Sequence, residues 1–181
     1  MRIGTALRGL ERSERGLARG LDRLAERHRA EHEVCHVGRD LAAWSRAHAR
    51  DVAVAAGRYE AAQEVGDGPG EALGRELGAA LGGVLEDPLE DPLGVPTVAG
   101  HGGGAPGAGT PDGLELLRDL RLVAMHAYGV STEWEMAAQA AQAVRDHDLL
   151  ALCQRCHPGT LRQLRWANAT IKVLSTQALT S

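Results

Sequence analysis

Apolar residues recur at alternating spacings of three and four along four long stretches of the chain. The first stretch predicts a helix over residues 4–28. Its apolar residues, together with the residue just before it, are Ile3, Leu7, Leu10, Leu17, Leu21 and Leu24. This spacing puts one apolar stripe on one face of a helix and leaves Arg and Glu on the other. The same pattern predicts a second helix over residues 34–62. Two further helices are predicted between residues 112 and 178, separated by a turn at 145–148.

The four predicted helices fall into two pairs, with a segment of different composition between them. Residues 64–111 are rich in Gly and Pro, which disfavour regular structure. Within this insertion, residues 70–85 keep a helical spacing and predict a short amphipathic helix, whereas residues 86–111 predict a disordered crossover loop. Two helical hairpins joined by a long crossover form a four-helix bundle. We therefore expect one all-α domain spanning residues 1–181.

The composition fits this fold and narrows the partners. The chain of 181 residues is 44% hydrophobic but only 3% aromatic, with no Phe, so the core has to be built from Leu, Val and Ala, which suits helices. Lys172 is the sole lysine, an Arg bias typical of a GC-rich bacterial gene. The net charge is -4 and Arg alternates with acidic residues, so we expect no nucleic-acid partner. With no signal peptide and no apolar run of about 20 residues, a cytoplasmic protein without a membrane partner is expected.

Two polar residues interrupt the apolar stripes of the first helical pair. Glu14 falls between Leu10 and Leu17 in helix 1, and His48 falls within the stripe of helix 2. Each lies about 17 residues from the turn near residue 31, so the fixed helical rise puts them at the same height. A buried charge is costly without a partner. We therefore expect Glu14 and His48 to face each other.

The second pair contributes three more candidates. His126 and Glu133 lie one heptad apart beside the apolar stripe of helix 3 and share a face. His157 lies on the stripe of helix 4, where Pro158 predicts a kink because proline removes a helical hydrogen bond.

The height at which the two pairs meet depends on the crossover. If it makes helices 2 and 3 parallel, the level of Glu14 and His48 meets helix 3 near Val130 and helix 4 near Leu164.

Two long hairpins, a long crossover and inward-facing Glu and His resemble the ferritin-like superfamily. In that family each half supplies a Glu from its first helix and a Glu-x-x-His from its second, and together they hold two iron or manganese ions. Glu14 matches the first-helix glutamate, His48 the second-helix histidine and Glu133 the third-helix glutamate. The pattern departs at Ser45, which stands in place of a glutamate, and at Gln154, three residues before His157.

The resemblance implies a degenerate ferritin-like bundle that binds one metal ion or a small ligand in its core. Iron or manganese is the expected ion, with zinc less favoured. The implied ligands are Glu14, His48, His126, Glu133 and His157.

A purely structural interpretation stays open beside this one. Glu14 and His48 could form a buried hydrogen-bonded pair that fixes the helix register, with His126 and Glu133 half exposed at the surface. The histidines near the first turn are expected to meet solvent: His28, His32 and His36.

The sequence CQRCHP, residues 153–158, contains the Cys-x-x-Cys-His signature of attached haem. Haem c is attached after export, and the chain has no export signal, so no haem is expected. A zinc site made of Cys35, Cys153, Cys156 and His157 would require an up-down-up-down helix path. Buried thiols in a reducing compartment are the favoured interpretation.

Three functions follow from these patterns. The leading hypothesis is the degenerate ferritin-like protein; no catalytic residues are predicted, and an enzyme is not expected. The first alternative is a non-catalytic interaction bundle, a homo-oligomer or a module that docks a protein partner. The second alternative is a zinc or thiol-redox protein that uses Cys153 and Cys156.

Overall fold

The computed structural model describes residues 3–66 and 113–180, and this part of the chain is entirely helical. Its four helices are α1 (Ile3–Arg27), α2 (His32–Gly66), α3 (Gly113–Val144) and α4 (His147–Thr180). The predicted all-α class is therefore confirmed for these residues. Within the described helices, no segment is both long and apolar enough to cross a membrane.

The chain divides into two units, one made of residues 1–61 and 110–181 and the other of residues 62–109. The first unit contains all the sites described below. The insertion was predicted to begin at residue 64, but α2 continues to Gly66 because Ala, Gln and Glu at its end are compatible with a helix. The predicted helix 70–85 and loop 86–111 lie outside the described residues.

Ion pairs and hydrogen bonds fix the directions of the helices. Arg8 pairs with Glu60 and Asp22 with Arg46, so α1 and α2 run antiparallel. The short α3–α4 turn makes the second hairpin antiparallel as well.

The two hairpins associate through α1 with α3 and through α2 with α4. Arg27 pairs with Asp119 across the first contact, and Arg58 with Asp148 across the second. Both contacts are antiparallel, because residues early in one helix meet residues late in the other. It follows that α2 and α3, which the crossover joins, run parallel to each other.

The core follows the predicted stripes. The five core leucines of α1 are 0–2% exposed, and each stabilises the fold by about 1.5–3 kcal/mol through burial. They are Leu7, Leu10, Leu17, Leu21 and Leu24. Alanine is frequent at the buried positions of α2 and α3, whereas α4 contributes mainly Leu and Cys to the core. Trp134 is the largest fully buried side chain among the described residues.

The α3–α4 turn is tighter than predicted, because α4 begins at His147. Arg145 adopts a φ of 58°, and its N–H and that of Asp146 bond to the carbonyls of Gln142 and Ala141 at 3.2 and 2.9 Å. This pattern is a Schellman motif, which closes the end of α3. Asp146 then accepts a bond from the Leu149 N–H at 2.9 Å and so caps α4.

Pro158 does not interrupt α4, which runs without a break from His147 to Thr180. The proline leaves the carbonyl of Gln154 without its usual helical donor. Both Pro158 and Gln154 are exposed, so water can satisfy that carbonyl.

Candidate functional site

The carboxylate of Glu14 lies at the centre of the bundle and is fully buried. Its Oε1 accepts hydrogen bonds from Trp134 Nε1 at 2.7 Å and Thr160 Oγ1 at 3.0 Å, and it lies 3.1 Å from His48 Nδ1. The three partners come from α3, α4 and α2. One oxygen atom therefore joins all four helices, while Oε2 has no hydrogen-bond partner among the described residues.

Glu14 and His48 meet as predicted, because helical rise fixes the height of two residues equally far from one turn. The level was predicted to meet Val130 and Leu164. It instead meets Trp134 and Thr160, about one turn closer to the α3–α4 turn. The register between the hairpins is set by packing, which the sequence spacing does not encode.

His48 is held on three sides. Its Nδ1 faces the carboxylate of Glu14, and its ring packs edge-on against Trp134 with centroids 6.1 Å apart. Its Cε1 and Nε2 lie 2.8 and 3.0 Å from the position a Cβ would take on Gly159. Glycine at that position therefore leaves room for the imidazole.

His126 and Glu133 share a face, as predicted, and both turn towards α1. Glu133 accepts a hydrogen bond from Ser13 Oγ at 2.9 Å, and the ring of His126 lies against Gly16. Burial lowers the pKa of His126; the backbone of Ser13 counters this effect, and nearby Arg19 reinforces it.

His157 lies at a different place from the Glu14 pair. Its Nε2 is 2.8 Å from Ser131 Oγ, which links α4 to α3. Nearly two turns further along α4, the amide of Gln163 donates to Ser45 Oγ and to the carbonyl of Leu41, both at 2.9 Å. Ser45, which stands where the expected ferritin-like pattern would have a glutamate, therefore accepts a hydrogen bond from Gln163.

Among the described residues, no three His, Cys, Asp or Glu side chains come together in an arrangement that could hold a metal ion. Of the five predicted ligands, Glu14 and His48 form the one pair joined by a hydrogen bond among the described residues. His126, Glu133 and His157 contact other residues.

The three thiols are free and buried. Burial raises the pKa of Cys153 and that of Cys156 to about 11. Because α2 and α4 are antiparallel, Cys35 lies level with α4 about 18 residues beyond Cys153, or roughly 27 Å away. The proposed zinc set of Cys35, Cys153, Cys156 and His157 is therefore wrong, since it required the other helix path.

His28 was expected to meet solvent, and this expectation is wrong. The side chain is 1% exposed, and its Nε2 lies 2.8 Å from Asp119, which also binds Arg27. Asp119 thus holds the end of α1 against α3. His32 and His36 are exposed, as expected, and stack on each other.

The donors around Glu14 were not predicted. Trp134 lies on the inward-facing apolar stripe of the third predicted helix, and a buried indole N–H usually requires an acceptor. That requirement was the available signal, because Glu14 was the one carboxylate already placed inside the core. The hydroxyls of Ser13, Ser131 and Thr160 gave no comparable signal.

The outward face of α3 is unlike the outward faces of the other helices. Its exposed apolar side chains include Leu122 at 40%, Met125 at 52%, Tyr128 at 66% and Met136 at 64% exposure. We call this the α3 stripe; its members are Leu114, Leu122, Met125, Tyr128, Gly129, Thr132 and Met136. The exposed side chains of α1 are by contrast mainly charged.

An apolar groove of about 630 Å³ adjoins the C-terminal end of the α3 stripe. It lies between the start of α1 and the last turns of α3. Its lining includes Ile3, Ala6, Met136, Ala140 and Ala143. The small alanine side chains leave space that a larger apolar side chain could fill.

Comparison with protein-family models, curated proteins and solved structures gave no match to this chain. The function is therefore argued from the geometry of the core and of the α3 stripe.

Proposed function

We propose that this protein is a non-enzymatic helical bundle that acts by docking a protein through the α3 stripe. The carrying observation is the row of large apolar side chains exposed along α3. Six of the nine exposed large hydrophobic residues in the described helices belong to α3. These side chains share one face of α3 with the exposed Arg118 and Arg121. Exposed apolar patches bordered by polar residues mark interaction sites on soluble proteins.

The core supports a scaffold role. The buried oxygen of Glu14 is occupied by donors from three helices, so the carboxylate fixes the register of the bundle. A carboxylate that is hydrogen-bonded to several helices holds these helices in one arrangement. A single arrangement is what a docking surface needs, since its side chains must be presented at constant spacing.

The helix path fits a relationship to the ferritin-like superfamily. Two antiparallel hairpins joined by a long crossover, with α2 and α3 parallel, form the arrangement of that superfamily. We regard the chain as a degenerate member in which the scaffold persists and most ligand positions hold other residues.

A second candidate function is the binding of one metal ion or small ligand in the core. The observation that favours it is the buried Oε2 of Glu14, which has no described hydrogen-bond partner, beside the imidazole of His48. The residues present do not fit a di-iron or dimanganese centre, because Ser45 replaces one ligand and His157 binds Ser131. Two donors do not complete a site for a single ion either.

Elemental analysis tests this second candidate. The chain is expressed with iron, manganese and zinc supplied, beside Glu14→Gln and His48→Gln. One iron or manganese atom per chain that is lost in both variants would support it. A metal content near zero in the unchanged chain would contradict the metal site.

Footprinting with hydroxyl radicals tests the docking proposal. The labelling of Met125, Tyr128 and Met136 is compared between cells and the purified chain at nanomolar concentration. We expect several-fold protection of these residues in cells. Trp44, which is 39% exposed on α2, serves as the control and should label equally in both. Equal labelling of the α3 residues in cells and in dilute solution would contradict the proposal.

A further inference from the structure

We infer that the occupant of the α3 stripe is a second copy of this chain, bound with its α3 antiparallel about a two-fold axis level with residue 127. This inference rests on the proposed docking function and names its partner. The argument has two parts: the alternation of large and small residues, and the placement of charge.

The α3 stripe is self-complementary in size. In an antiparallel pair of helices, residues lie opposite each other when they are equally far from the two-fold axis. About residue 127, Met125 lies opposite Gly129 of the second copy, and Leu122 lies opposite Thr132. Each large side chain thus meets a small one, as interdigitated helix packing requires. Gly129 has open space around it in the single chain, where a Cβ would meet nothing within 4 Å.

The charges at the edge of the stripe are complementary in the same register. Arg121 and Glu135 lie two heptads apart and therefore on the same flank of α3. A two-fold axis of this kind brings equal flanks together. Flanking residues of antiparallel helices pair about two positions off the level of the central residues, so Arg121 of each copy lies beside Glu135 of the other. Both residues are exposed, and neither has an ion pair with another described residue.

Met136 is also covered in this arrangement. It lies opposite Arg118, whose aliphatic stem can pack over the methionine while the guanidinium stays in water. The register about residue 127 therefore gives Leu122, Met125 and Met136 each a partner on the second copy.

Charge reversal tests the inference. The association of the full-length chain is measured by sedimentation between about 1 and 200 μM, beside R121E, E135R and the double variant R121E/E135R. Each single variant places like charges in contact at two symmetric sites, and we expect the dimer Kd to rise at least about tenfold. The double variant should restore the Kd to within about threefold of the original.

Two further variants locate the interface. G129R puts a large side chain where Met125 of the second copy should pack, and it should give a monomer of unchanged helicity, since the site is open in the single chain. R165E makes the same charge change on the exposed face of α4 and should leave the dimer unaffected.

The outcomes separate this inference from the proposed function. A monomer at all concentrations, or a dimer that responds equally to R121E and R165E, would overturn the inference. If that monomer were nevertheless protected at Met125 and Tyr128 in cells, the docking function would stand with a different partner. A monomer without protection in cells would overturn both.

Discussion

The buried carboxylate of Glu14 connects its own helix to the three other helices of the bundle. A buried carboxylate is costly to desolvate, and hydrogen bonds from Trp134 and Thr160, with His48 alongside, offset that cost. Each of these partners is itself a polar group that the core would otherwise leave unsatisfied. Glu14 and its partners therefore stabilise the fold only when all of them are present.

We expect Glu14→Ala to lower the free energy of unfolding by about 3–5 kcal/mol, because it leaves the buried donors Trp134 and Thr160 without an acceptor and removes the partner of His48. Urea unfolding monitored by circular dichroism measures this change. Glu26→Ala is the matched control, since Glu26 is exposed on the same helix, and its effect should stay within about 0.5 kcal/mol. Similar losses in both variants would refute the special role of Glu14.

The stability should also depend on pH through His126. Burial lowers the pKa of this imidazole in the folded state, so the unfolded state, with a pKa near about 6.5, binds more protons. The stabilisation by the neutral ring is complete above about pH 6.5 and is lost as the pH falls below that value towards the folded pKa. In His126→Gln the difference in unfolding free energy between pH 7.5 and pH 5.5 should be smaller than in the unchanged chain. An identical difference in the two proteins would contradict this expectation.

At the scale of the helices, the sequence predicted the features that depend on spacing within one hairpin, namely the helices themselves and the relative height of two residues. The apolar stripes identified the helices, and the rise per residue placed Glu14 opposite His48. Trp134 and Thr160 were not found as partners, because the register between the hairpins depends on packing across a long insertion. His28 was misplaced for the same reason: its burial comes from Asp119, which lies on the other hairpin.

The α3–α4 turn offers a prediction at this scale. Arg145 ends α3 with a φ of 58°, a conformation that favours glycine over residues with a Cβ. Arg145→Gly should therefore raise the free energy of unfolding by about 0.5–1 kcal/mol. Thermal unfolding measures it, and Arg118→Gly, inside the same helix, should lower stability by about 1 kcal/mol. A loss of stability in Arg145→Gly would show that the arginine side chain contributes more than its backbone conformation costs.

At the scale of the whole molecule, the thiols report on global opening. Cys35 lies near the start of α2, and Cys153 and Cys156 lie near the start of α4, so the three mark distant parts of the bundle. All are buried, and burial raises the pKa of Cys153 and Cys156 to about 11, which keeps them as unreactive thiols near neutral pH.

We expect all three cysteines to resist a thiol reagent at pH 8 in the native protein and to react together as urea unfolds it. Labelling followed by mass spectrometry checks this result. Rapid labelling of Cys153 and Cys156 without urea would instead support a thiol-redox function, which needs accessible thiolates.

The hydrogen bonds of Glu14 also bear on how the chain folds. They join residues separated in sequence by 34, 120 and 146 positions, so two of them can form only after the long crossover has been closed. Contacts that require such closure are delayed by its entropic cost. The carboxylate should therefore enter its pocket after the transition state for folding. Its main kinetic effect is then to slow unfolding, which makes this residue a determinant of the lifetime of the native bundle.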